Sequence, residues 1–544
     1  MNRYQQTIII SLLLLLAGLL HGPSTPAAAQ EEPPAPTVDH RFGAIESFWA
    51  AEEAADLGVG WERILFYWNE IQPFGPDSWN TLHVMEEWLH EANAHDRTVV
   101  GVLKNTPLWA TDSPYASGVP YGLYLPDDDP ENLWANYVRR VAQYYAPLGV
   151  HNWIVWNEPD IAPGTYGHEF SGTMDDYYQL LKVAYRVIKA EDPTATIHLG
   201  AVTYWHDPGY LGRFLQLVAA DPTAAANNYY FDVISLHIYF RPETIPVIVD
   251  NALTAQQMAG ITPTKPIWIN ETNARPSMDP EWPVQVEHFV LDLDQQAWYI
   301  IQAFALGFAA EAERIAVYKL VDVNLPPGGE SWGLIRPHDF SKRPSYFAYK
   351  TLIEHTAGFV PPVQQQQDAL YQLVTFERPQ GLTRVLWARG QTPVSVTLPA
   401  TAESATLVTA LGDMQTIQPQ ADGTYRIELA GARCYEGCYM GGPPVFVVEP
   451  EWSPEPLPTA TAVSSPTPMA TPTPLPEITP SPEPTVTAPT PSPIPSPTPL
   501  PVVVEEMVAE VETAVFSDLM GWYVLGSGLF LGLGLFWLWR RRHK

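Results

Sequence analysis

From about residue 40 to 320 the chain repeats one pattern: a short run of apolar, β-branched and aromatic residues, a polar turn, then a longer stretch with apolar residues at three- and four-residue intervals. Short continuous apolar runs bounded by turn residues read as buried strands, and the longer periodic stretches as helices lying on them by one face. The strands fall at residues 41–45, 61–68, 98–103, the run that begins at Trp153, 197–202, 231–239, 266–271 and 315–320, which makes eight. The helices carry their own start signals. Asp129-Pro130-Glu131 reads as a cap with proline at the first helical position, opening a helix over 132–145. Thr173-Met174-Asp175-Asp176 has the form of a capping box with Asp in place of Glu, for a helix that runs to about Glu191 before Pro193. Eight strands alternating with helices predict an α/β protein, a (β/α)8 barrel, over residues 30–360. An open doubly wound sheet is the rival arrangement, and no Gly-rich phosphate turn follows an early strand to support it.

After about Pro361 the runs become shorter and the turns more frequent. Residues 371–376, 383–387, 394–398, 405–408, 425–429 and 445–448 read as six strands of a small antiparallel β-sandwich spanning 361–450. The expectation is a packing domain with no site of its own, glycan binding being the alternative. Residues 451–501 are mostly Pro, Thr and Ser with no Lys or Arg, a composition that cannot bury a core and predicts an extended stalk. At ~3.1 Å per residue such a stalk spans on the order of 150 Å. An acidic juxtamembrane segment, 502–518, follows it.

The two ends address the chain. Arg3, the apolar stretch 8–20 and the small residues Pro26-Ala27-Ala28-Ala29 have the form of a cleaved secretory signal over 1–29, an uncleaved anchor being the other reading. Residues 519–539 are almost wholly apolar and lead into Arg540-Arg541-Arg542-His543-Lys544, a pattern that predicts one transmembrane helix with a basic cytoplasmic tail at 540–544. The composition limits the partners: 60 acidic against 29 basic side chains give a formal charge of −31, which argues against nucleic acid. The only cysteines, Cys434 and Cys438, fall in the exported part at a spacing that allows a local disulfide, with two free thiols as the alternative.

Two strands end on carboxylates. Trp153-Ile154-Val155-Trp156-Asn157-Glu158-Pro159 and Pro266-Ile267-Trp268-Ile269-Asn270-Glu271-Thr272 each stop an apolar run at a glutamate, and Ser235-Leu236-His237-Ile238-Tyr239 ends the strand between them. Barrels place reacting groups at the carboxyl ends of their strands, so acids ending strands four and seven face one cleft. Paired carboxylates in one cleft are what glycoside hydrolysis requires. These motifs resemble those of the retaining glycoside hydrolases of clan A, and Thr106-Pro107-Leu108-Trp109-Ala110 looks most like family 39, with family 5 as neighbour. The resemblance implies that Glu158 is the acid/base and Glu271 the nucleophile. It further implies that Asn157 binds the sugar 2-hydroxyl, that Tyr239 hydrogen-bonds the nucleophile, that His237 lines the sugar site, and that Arg63 is the buried arginine beside the nucleophile. Trp332, after strand eight, matches the clan's aromatic sugar platform. Trp109 and Trp205 also sit just after strands and are further candidates for sugar contact, since flat aromatic faces suit the apolar faces of sugar rings.

No metal or nucleotide motif is present: Asp127-Asp128-Asp129 lacks EF-hand spacing, His168-Glu169 lacks the second histidine of a zinc helix, and there is no Walker loop. The expectation is therefore a cell-surface retaining glycosidase, free of cofactor, whose partners are a carbohydrate substrate and the membrane. The rival is a glycan-binding or adhesive surface protein on a barrel that has lost catalysis. Loss of either glutamate would favour the rival, and both are present. The glycan, exo or endo attack and the oligomeric state are left open. The topology has a direct check: protease added to intact cells releases the globular part, and a globular part that stays attached contradicts it.

Overall fold

In the computed structural model eight parallel strands close on themselves: β1 (Asp39–Ala44), β2 (Val59–Tyr67), β3 (Thr98–Lys104), β4 (Asn152–Asn157), β5 (Thr196–Val202), β6 (Val233–Tyr239), β7 (Ile267–Asn273) and β8 (Arg314–Val317). β8 pairs back on β1 through Phe42–Ile315, Gly43–Ala316 and Ala44–Val317. The structure describes residues 38–284, 289–323 and 331–450. The expected signal, stalk, juxtamembrane segment, apolar span and basic tail lie outside the described residues. Among the described residues no helix is long and apolar enough to cross a membrane.

The barrel interior is a packed layer of Ile45, Trp61, Val100, Val102, Ile154, Val233, Trp268 and Ala316. Two indoles fit there, with the rings of Trp61 and Trp268 5.3 Å apart, because facing positions are nearly bare. A Cβ on Gly43 would lie 2.3 Å from the Trp61 ring, so this glycine is required by close approach. The outer faces of the strands join the helices in one large core.

Local chemistry explains where the elements begin. Thr173 and Asp176 form the expected capping box of the helix Met174–Glu191. The helix Leu133–Tyr145, however, is capped by Asn132, whose side chain accepts the N–H of Ala135. Asp129 instead accepts the N–H of Glu131 and closes a turn that contains Pro130, so the helix starts later than the Asp-Pro signal suggests. β8 stops at Val317, three residues short of the expected end.

Residues 360–450 form a six-stranded antiparallel sheet in the order β14 (Met414–Ile417), β13 (Ala405–Thr409), β16 (Val445–Pro450), β11 (Gly381–Ala388), β10 (Tyr371–Arg378), β9 (Val360–Gln367). A ribbon of β12 (Val394–Pro399) with β15 (Thr424–Leu429) packs against it through Val396, Leu398, Tyr425 and Ile427. β9 and β14 were not expected. Both are edge strands: β9 carries Pro361-Pro362 and four glutamines, β14 is short and exposed, and edges tolerate what central strands do not.

This sheet covers the barrel helix Leu293–Ala309, in which every residue from Gln295 to Phe308 is buried, as its nearly unbroken apolar sequence requires. Gln302 bonds across the junction in both directions, donating to Gly442 O at 2.9 Å and accepting from Gly441 N at 3.0 Å. The loop between β15 and β16 is closed by the Cys434–Cys438 disulfide and grips the start of that helix: Arg433 pairs with Asp294 at 2.7 Å and the Tyr435 hydroxyl donates to Asp292 at 2.7 Å.

Candidate active site

The carboxyl ends of β2, β4, β6 and β7 bring Arg63, Glu158, His237, Tyr239 and Glu271 together. On β7 the placement depends on a bulge. Leu236 pairs with Ile269, but the next residue, His237, pairs with Glu271, so Asn270 is an extra residue on β7. Alternation would put Trp268 and Glu271 on opposite faces; the extra residue turns both toward the barrel axis. On β4 the chain bends through two residues in the left-handed region, Trp156 (φ 70°) and Glu158 (φ 43°). Each costs on the order of 1–3 kcal/mol and needs support. Here the N–H of Glu158 donates to Ala201 O on β5 at 3.0 Å, and the Trp156 indole donates to Glu169 O at 3.0 Å.

The Arg63 guanidinium pairs with one oxygen of Glu271, and the Tyr239 hydroxyl donates to the other. Arg63 also donates to His237 Nε2 at 3.3 Å. Because arginine can only donate, Nε2 must accept, which puts the imidazole proton on Nδ1. Nδ1 donates to Glu158 Oε1 at 2.6 Å and stands 3.4 Å from Glu271 Oε2. His237 therefore bridges the two glutamates from below and is only 1% exposed. Glu271 is buried, whereas the Glu158 side chain is 18% exposed and sits at the mouth. An oxygen of each lies within 4.8 Å of the other.

Burial alone would push the Glu271 carboxyl up. The charge of Arg63, the electrostatic influence of the neighbouring His237 N–H and hydrogen bonds from Tyr239 and Arg63 outweigh it and hold Glu271 below its ordinary 4.5. The same burial and the Glu271 charge hold the Tyr239 phenol well above its ordinary value, so it remains a donor. Asp160, two residues past Glu158, is pushed up to about 6 by burial, against hydrogen bonds from Thr203 and with the Glu158 charge adding to the rise. Glu158, His237 and Glu271 could by distance meet one cation, as could the surface trio Glu281, His338 and Asp339. In the first group both imidazole nitrogens are already engaged and Arg63 stands beside them, which disfavours a metal there.

An aromatic wall flanks the pair. The Trp332 ring lies 5.1 Å from Tyr239 and 5.4 Å from Phe240. Its backbone is fixed by Asp322, which accepts the N–H groups of Trp332 and Gly333 at 2.7 and 2.6 Å and pairs with buried Arg343 at 2.6 Å. Behind it Phe240 stacks on Phe289 at 4.0 Å, and Phe289 meets Tyr439 of the second domain at 5.0 Å. The β domain thus stands directly behind the wall.

The other expected residues are held by contacts of their own. Trp109 lies edge-on to Trp68 and donates to Gln72 O at 2.8 Å, and Trp205 lies edge-on to Tyr204. Asn157 adjoins Glu158 in sequence, but its amide donates to Glu169 Oε2 at 3.0 Å, and Lys104 pairs with the same oxygen. Sequence reasoning missed Glu169, Lys104 and Asp160. Only the last had a visible signal, as a second acid directly after Trp-Asn-Glu-Pro.

No protein-family model matches the sequence, and no curated protein does. Solved structures do match in shape. A family 39 glycoside hydrolase from Bacteroides cellulosilyticus WH2 is similar over 75% of this chain and 81% of its own, with TM-score 0.58 and 15% identity. A family 30 endoxylanase from Clostridium papyrosolvens C71 covers 76% and 97%, with TM-score 0.52 and 11% identity. A family 39 enzyme from Xanthomonas axonopodis pv. citri covers 77% and 95%, with TM-score 0.50 and 15% identity. The chain shares the fold of these glycoside hydrolases.

The electrostatics carry a prediction with a definite sign. A carboxyl held below its ordinary value contributes stability above pH 4.5 that is lost as pH falls through the folded value. Arg63→Met removes the main charge opposing burial, so Glu271 should then titrate above 4.5 in a carboxyl-carbon NMR titration of glutamate-labelled protein. A carboxyl that still titrates below it contradicts the account.

Proposed function

We propose that the protein is a retaining glycoside hydrolase that cleaves O-glycosidic bonds of an oligo- or polysaccharide by double displacement. The observation that carries this reading is the pair of glutamates in opposite settings, one buried and held ionised, the other at the mouth, with oxygens within 4.8 Å. Retaining enzymes hold their carboxyl groups ~5 to 5.5 Å apart, whereas inverting ones leave ~6.5 to 9.5 Å for a water.

In the first step a Glu271 oxygen attacks the anomeric carbon while Glu158 gives its proton to the glycosidic oxygen, and the bond to the leaving alcohol breaks. His237 occupies Glu158 Oε1, so Oε2 is left to carry that proton. In the second step Glu158 takes a proton from water, the water oxygen attacks the anomeric carbon, and Glu271 departs as a carboxylate. Arg63 and Tyr239 keep Glu271 in the form that attacks and leaves. Trp332 offers an aromatic face to the sugar. The endoxylanase among the similar structures makes xylan and aryl xylosides the first substrates to assay. The signal and apolar span expected from the sequence support a cell-surface location.

The two glutamates act at different moments, so their removal should differ. Glu271→Ala should abolish hydrolysis whatever the leaving group. Glu158→Ala should cost ~10²- to 10⁴-fold on glycosides of poor leaving groups and little on activated aryl glycosides. With azide, Glu158→Ala should give a glycosyl azide of retained configuration. Equal losses on good and poor leaving groups, or an inverted azide, would misassign the roles.

A further inference from the structure

Most of the aromatic rings that the barrel leaves in water lie at one end of it. Phe74, Tyr115, Tyr121, Tyr124 and Tyr166 are exposed, and all stand on connections that leave the carboxyl ends of β2, β3 and β4. Among the described residues, the connections at the amino end of the barrel expose no aromatic ring. Single exposed apolar side chains are ordinary, whereas a group gathered on one face marks a binding surface. Tyr115 and Tyr166, 67% and 69% exposed, are tied to Glu158 by a chain of hydrogen bonds. Glu158 O accepts from Ile161 N at 3.3 Å, Ile161 O accepts from His168 Nδ1 at 2.9 Å, His168 Nε2 lies 3.2 Å from Ser171 Oγ, and Ser171 Oγ lies 2.7 Å from Ser117 Oγ. Tyr166 sits in the turn closed by His168 N–H on Thr165 O at 3.1 Å, and Tyr115 opens the turn closed by Gly118 N–H on Tyr115 O at 3.2 Å. The segments after β3 and β4 thus form one lip beside Glu158. On the same lip the Tyr121 and Tyr124 hydroxyls donate to Asp112 and Asp176 at 2.7 Å each, which fixes rings that are themselves exposed.

We propose, resting on the glycosidase reading, that this lip binds the leaving-group side of an uncharged polysaccharide, with Tyr115 and Tyr166 stacking on its sugar rings, so that the protein cuts within chains. Glu158 gives its proton to the leaving oxygen, so the lip that continues from Glu158 is on the side where the leaving chain lies. β8, which leads to Trp332, stands opposite β4 around the eight-stranded barrel, so a chain that crosses the glutamates from the Trp332 wall passes out over the lip. The flat face of a tyrosine suits the apolar face of a sugar ring. Charge narrows the class of chain. Residues 105–132 and 158–173 contain no Lys or Arg, while Asp112, Asp128 and Glu131 are exposed there, a surface that repels a carboxylated or sulfated glycan and tolerates a neutral one.

The test gives the full chain 4-nitrophenyl xyloside, glucoside and mannoside, and xylo-, cello- and mannohexaose labelled at the reducing end. The wild-type protein should cut one of the hexaoses internally, releasing labelled fragments of two or more sugars, and should cut it faster than polygalacturonate. The double variant Tyr115→Ala, Tyr166→Ala should lower kcat/KM on that hexaose by ~10- to 100-fold, leave the 4-nitrophenyl glycoside within a factor of about three, and move the cut toward the labelled end. The unchanged aryl rate also reports that the variant is folded. Tyr115→Phe with Tyr166→Phe should stay close to wild type on both substrates, because the rings remain. Equal losses on hexaose and aryl glycoside, no loss on the hexaose, loss in the phenylalanine variant, faster cutting of polygalacturonate, or a wild-type protein that hydrolyses aryl glycosides but no hexaose internally would overturn the proposal. A wild-type protein that turns over no aryl glycoside and no chain would instead strike at the glycosidase reading, and this proposal would fall with it.

Discussion

A carboxylate cannot be buried at the mouth of a barrel and stay ionised unless a fixed positive charge is buried with it, and the pairing of Arg63 with Glu271 meets that constraint. The two residues come from β2 and β7, so the pair exists only if the barrel closes through β1 and β8. The layer beneath repeats the same span: Trp61, two residues before Arg63, meets Trp268, three residues before Glu271. The bulge at Asn270 reconciles the two and three. Removing that extra residue would turn Glu271 outward while leaving every apolar contact of β7 nominally satisfied.

The second domain has a mechanical relation to this centre. Its disulfide-closed loop fixes the start of the helix Leu293–Ala309, and Gln296 of that helix donates to the Trp332 carbonyl at 2.9 Å. Tyr439 reaches the same wall through Phe289 and Phe240. A domain with no obvious site of its own therefore helps to hold the aromatic face that the proposed mechanism presents to the sugar.

Much of this was legible in the sequence because the relevant signals are local. An apolar run that stops at Asn-Glu announces a strand end with a carboxylate, and both glutamates were found that way. The His-x-Tyr spacing on β6 correctly put both side chains on one face, where both meet Glu271. What could not be read depends on distant partners. The bridging role of His237 requires Arg63 and Glu158 from two other strands. Glu169 meets Asn157 because a loop folds back on it, and nothing in His168-Glu169 announces that. β9 was hidden for a different reason: Pro361-Pro362 and four glutamines contradict strand propensity, and only the free edge of the sheet makes them acceptable.

In the proposed mechanism Glu271 attacks the sugar and Glu158 serves both steps. The most direct measurement is the anomeric configuration of the first product, followed by proton NMR from the onset of hydrolysis, before mutarotation blurs it. Two displacements at one carbon predict a product with the configuration of the substrate. A first product of inverted configuration would mean that water attacks directly, and the assignment of Glu271 as nucleophile would be wrong.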